Sequence, residues 1–73
     1  MYRIKKYNGR TKELLTDREL MTSPQTFMGA VEKEYPMVSY EYPDRNTTKM
    51  SVWKHLALVS FKPTYVYELI RED

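Results

Sequence analysis

Seventy-three residues make one small domain, and a chain this short buries only ~60–65% of the surface its unfolded form exposes. The absence of cysteine excludes disulfides and thiolate metal sites, and the single histidine, His55, leaves zinc without its usual nitrogen ligands. The net charge of +2 hides an asymmetry: residues 1–12 carry five of the twelve basic side chains and none of the ten acids, leaving −3 on the rest (seven bases against ten acids).

Residues 2–7 alternate as a strand does, with Tyr2, Ile4 and Lys6 on one side and Arg3, Lys5 and Tyr7 on the other. Asn8-Gly9 follows and favours a type I′ turn, which needs positive φ angles. The return strand is expected from Arg10 to Leu15, giving an N-terminal hairpin over 2–15 with Leu14 or Leu15 in the core. Thr16-Asp17-Arg18-Glu19 has the form of a capping box, so one helical turn or a connecting loop is expected there.

Ser23-Pro24 is the better helix start, because Ser accepts from first-turn N–H groups and Pro lacks the N–H that would go unpaired. Phe27, Met28, Ala30, Val31 and Tyr35 then recur at helical spacing until Pro36, which predicts a helix over 24–35. Gly29 lies mid-helix, where it would let the helix approach a sheet closely.

Strand alternation returns at 37–42, with Val38, Tyr40 and Tyr42 opposite Ser39 and Glu41. Pro43-Asp44-Arg45-Asn46 is a turn cluster, and Thr48, Met50 and Val52 fit a strand over 47–53. Residues 56–61 read as a covered strand, although Met50, Trp53, Ala57 and Phe61 also stand at near-helical spacing. Lys62-Pro63-Thr64 is a turn, residues 64–70 are rich in strand formers, and Arg71-Glu72-Asp73 is expected to fray. The fold class is α+β: a small antiparallel sheet of five to six strands, in the order ββαβββ(β), with one helix on one face.

The search for chemistry is mostly negative. Glu32 and Glu34 are two apart on the helix and diverge, while Gly9 and Gly29 are too far apart for any phosphate-cradling loop. His55 reads as a half-buried structural histidine at a strand edge, since a base would need an acid such as Asp44 or Glu68 beside it. Asn46-Thr47-Thr48 matches a glycosylation triplet but reads as a polar turn. No catalytic set, metal or cofactor is implied.

Two binding classes remain. The first is a non-enzymatic binding or regulatory module contacting another protein or a second copy, through an edge strand or the aromatics Tyr7, Tyr40, Tyr42, Tyr65 and Tyr67. If the strands carrying Tyr40/Tyr42 and Tyr65/Tyr67 are neighbours, four rings form one patch, either packed beneath the helix or exposed for base stacking. The second is nucleic-acid binding through the basic hairpin, with Arg3, Lys5, Lys6, Tyr7, Arg10 and Lys12 as contacts. The leading residues alternate charged and apolar side chains instead of forming a secretory signal, and no run approaches a membrane span, so a cytoplasmic protein is expected. In length and composition the chain is of the style common among accessory proteins of phages and mobile elements, with no motif behind that likeness.

Overall fold

In the computed structural model, which describes residues 1–55 and 62–72, the alternating start of the chain is strand β1 (Tyr2–Asn8). It is followed by β2 (Leu14–Glu19), α1 (Pro24–Glu34), β3 (Met37–Asp44), β4 (Thr47–Trp53) and β5 (Tyr65–Arg71). The five strands form one antiparallel sheet in the order β2-β1-β5-β4-β3, so the first strand pairs with the last and α1 carries the chain from one sheet edge to the other. This is the expected small α+β architecture. The strand expected over 56–61 lies outside the described residues.

The first hairpin forms, but its turn differs. Gly9 has no positive φ; the left-handed residue is Lys12, at φ 67°. Asn8 organises the five-residue loop 9–13: its carbonyl accepts from Lys12 N at 2.9 Å, and its Oδ1 accepts from Arg10 N and Thr11 N at 2.8 and 3.1 Å. The longer loop starts the return strand at Leu14 rather than Arg10. Thr16-Asp17-Arg18-Glu19 is therefore strand, not a helical turn or a loop, because it pairs with β1. Leu14 and Leu15 do not reach the core, being 46% and 45% exposed; Leu20, just beyond β2, is buried instead, its N–H donating to the Tyr2 carbonyl.

Helix α1 starts as its sequence dictates. Ser23 Oγ accepts from Thr26 N at 3.2 Å, Pro24 occupies the first turn, and Tyr35, with Pro36 behind it, closes the helix by donating its N–H to the Val31 carbonyl. Phe27, Met28, Val31 and Tyr35 face the sheet, whereas Ala30 is exposed. Nothing lies within 4 Å of a Cβ built on Gly29, so that glycine serves no close approach to the sheet.

Beneath the helix, Ile4, Met50, Val52, Tyr67 and Leu69 form the core with Leu20, Val31 and Tyr35. Met50 and Val52 are fully buried, at 0% exposure. Phe27 meets Tyr67 edge-on, with ring centroids 5.3 Å apart at 72°, a favoured aromatic geometry. The two tyrosine-bearing strands are not neighbours; β4 separates them and sets Met50 between Tyr40 and Tyr67. Tyr67 is buried, and Tyr40 and Tyr65 are half-buried against the core. Tyr42 is 71% exposed, because the β3–β4 register shifts between Glu41 and Asp44.

The expected Pro43–Asn46 turn contracts to Arg45-Asn46, with Pro43 and Asp44 inside edge strand β3, where the N–H that proline lacks costs least. Of the tail expected to fray, Arg71 ends β5 and Glu72 is tied down, its N–H donating to the Met1 carbonyl, while Asp73 lies outside the described residues. Among the described residues no helix is long and apolar enough to cross a membrane.

Candidate polyanion site at the end of the sheet

The sheet face opposite α1 explains why the basic leading segment does not act as a free stripe. Cross-strand register aligns Asp17, Lys5, Glu68, Lys49 and Glu41 in one row across all five strands, with charges alternating in sign. Opposite charges set directly across a strand pair stabilise a sheet and cancel each other's field at a distance. Arg3 and Tyr7 share this face with Lys5, as expected from sequence. Arg3 Nε donates to Asp17 Oδ1, and Tyr7 Oη donates to Glu68 Oε1 at 3.1 Å. Burial, reinforced by that carboxylate, raises the Tyr7 pKa above its ordinary value. Lys12 and Lys49 flank a depression of about 180 Å³ that Tyr7, Val66 and Glu68 complete.

Lys6 lies on the other face. Its Nζ sits 4.1 Å from the centroid of the Tyr65 ring and 5.6 Å from that of Tyr67, within the range of cation–π attraction. The six basic-hairpin residues named from sequence are thus divided among three places, and only Arg10 stands at the cavity described next.

That cavity, of about 340 Å³, opens at the end of the sheet where β1 and β4 finish and β5 begins. From β1 and its loop come Asn8 and Arg10; from the end of β4 come Trp53, Lys54 and His55. The approach to β5 contributes Lys62, Pro63 and Thr64, and β5 itself contributes Tyr65. Four of these side chains are basic types, two are aromatic, and among the described residues that line the cavity none is acidic.

Local hydrogen bonding builds this end. Thr64 joins three strands: its carbonyl accepts from Gly9 N at 3.0 Å, its N–H donates to the Val52 carbonyl at 2.8 Å, and its Oγ1 accepts from Lys54 N at 3.0 Å. Gly9 is required because a Cβ there would collide with the Pro63 carbonyl. Asn8 Oδ1, by accepting from Arg10 N, fixes the backbone from which Arg10 reaches the cavity. Trp53 is half-buried and, among the described residues, its Nε1 has no hydrogen-bond partner.

No protein-family model, curated protein or solved structure matches this chain.

His55, expected to be half-buried, is exposed on the cavity rim, and the carboxylates considered for it are engaged elsewhere: Asp44 Oδ1 accepts from Asn46 N, and Glu68 accepts from Tyr7. Among the described residues no cluster of three His, Asp or Glu side chains is placed to hold a metal. Lys54, Trp53 and Lys62 were not singled out from sequence as contacts. Their alternation with prolines, threonines and aromatics gives no periodic signal, and residues 8–10, 53–55 and 62–65 meet only through the β1–β5–β4 order.

Proposed function

We propose that this protein is a non-enzymatic binding module that takes nucleic acid at the sheet end, through the cavity bounded by Arg10, Lys54, His55 and Lys62. One observation carries the reading: four residues with basic side chains and two aromatic residues line a concave site whose described lining has no acid, while the sheet face opposite α1 is charge-compensated. Phosphate binding needs clustered positive charge, and base contact needs aromatic faces beside it. Both requirements meet at this end.

The test compares salt dependence. A labelled single-stranded oligonucleotide binds the intact chain at low salt, and affinity falls with added salt. Arg10→Ala and Lys54→Ala each flatten the slope of log K against log salt by about 0.7, the value for one lost single-strand phosphate contact. Lys5→Ala, in the alternating row, leaves the slope unchanged. No binding at low salt, or a slope sensitive to Lys5 and indifferent to Arg10 and Lys54, refutes the reading.

A second reading, contact with another protein or a second copy, rests on edge strand β3, where Tyr42 is 71% and Met37 40% exposed. An unpaired edge with apolar side chains is a template for strand addition. It predicts that the chain self-associates in sedimentation at high concentration and that Tyr42→Lys abolishes this. A monomer at every concentration removes the second copy from consideration.

A further inference from the structure

We propose that the sheet-end cavity seats one unpaired nucleotide of a single-stranded chain, its base against Trp53 and Tyr65 and its flanking phosphates on Arg10 and Lys54; this rests on the polyanion reading above. Three observations narrow the ligand to that class. The cavity's volume, about 340 Å³, is at the small end of ligand sites, suiting a single base with its sugar rather than a base pair. Trp53 and Tyr65 both line it, and aromatic faces hold bases of any sequence by stacking. Lastly, no residue of α1 lines the cavity, so the element that most often reads a duplex major groove is elsewhere.

Trp53 adds a further match. Its Nε1 is buried with no hydrogen-bond partner among the described residues, an unsatisfied donor of the kind that functional sites tolerate. Lys6, stacked on Tyr65, holds that ring in place from the helix side and adds positive charge near the cavity.

Trp53 is the chain's only tryptophan, so intrinsic fluorescence reports on this cavity directly. The intact protein is titrated at low salt with four probes: a thymidine oligonucleotide, an abasic strand of equal length, a duplex of equal length, and thymidine monophosphate. Binding is followed in parallel by Trp53 fluorescence and, for the strands and duplex, by anisotropy of an end label. The expected result is quenching by the thymidine strand and affinity about 5- to 150-fold lower for the abasic strand, the span for one stacked base. The duplex binds more weakly than the strand, and the monophosphate, lacking flanking phosphates, more weakly still.

Equal binding of thymidine and abasic strands with no change in Trp53 fluorescence overturns the nucleotide seat and leaves the polyanion site standing. Tighter duplex than single-strand binding overturns it in favour of the hairpin tip entering a groove. A monophosphate that binds as tightly as the strand makes the site a small-molecule one. Absence of binding by every probe removes the underlying reading as well. Because these comparisons use the unmodified chain, they do not depend on a Trp53 variant that folds.

Discussion

At Gly9 and Gly29, the only glycines in the chain, an added methyl group has opposite consequences, and both follow from what surrounds the backbone. A Cβ at Gly9 runs into the Pro63 carbonyl, which cannot move without breaking the Gly9–Thr64 hydrogen bond. Gly9→Ala is expected to cost about 1–3 kcal/mol, the usual range for forced overpacking, and to disturb the cavity. At Gly29 the space is open and φ is ordinary, so Gly29→Ala should stabilise by about 0.5–1 kcal/mol by restricting the unfolded chain. Urea denaturation of both variants checks the pair; equal effects would mean that the Pro63 contact is unimportant. Asn8-Gly9 signalled the hairpin correctly for a reason that proved wrong in detail. The dipeptide was legible as a turn, but the demand on Gly9 comes from a residue fifty-four positions later, which no local pattern reveals.

Among the elements, α1 was the most legible because each of its signals is local: Ser23 before Pro24, the apolar recurrence, and Pro36 at the end. Ser23→Ala removes the acceptor for Thr26 N and should cost about 1 kcal/mol in the same denaturation experiment; a change below the error of the measurement would show that the helix does not need the cap. The strands were legible in kind but not always in extent. Thr16–Glu19 satisfies a helix-start pattern, yet β1 offers it strand pairing and sets Asp17 beside Arg3, and tertiary pairing overrides the local preference. Tyr42 continues the alternation of Val38 and Tyr40 on paper. The register shift beside Pro43 breaks that alternation in space, so that of the four rings grouped from sequence Tyr42 is the one that stands in solvent. The candidate site was least legible, since Arg10 alone among its basic residues belonged to the recognisable basic segment.

For the molecule as a whole, the tyrosines that complete a thin core also make its stability depend on alkaline pH. Burial pushes the pKa of Tyr67 and Tyr35 up; for Tyr40, burial and then its hydrogen bond to Glu32 push the value from 10.0 to about 12. Below pH 10 these phenols are protonated in the folded and unfolded chains alike, and their contribution to stability is fully present. Between pH 10 and about 12 the unfolded chain releases the Tyr40 proton while the folded chain retains it, so the unfolded state is favoured progressively as pH rises. Denaturant midpoints should therefore be flat up to about pH 10 and decline above it. Tyr40→Phe should be less stable than the parent at neutral pH, having lost the Glu32 bond, but should decline less steeply above pH 10, because one of the shifted groups is gone. A variant whose alkaline decline parallels that of the parent would mean that Tyr40 ionises alike in both states. The alkaline sensitivity would then rest on the other phenols held above their ordinary value, Tyr67 and Tyr35 beneath the helix and Tyr7 on the opposite face.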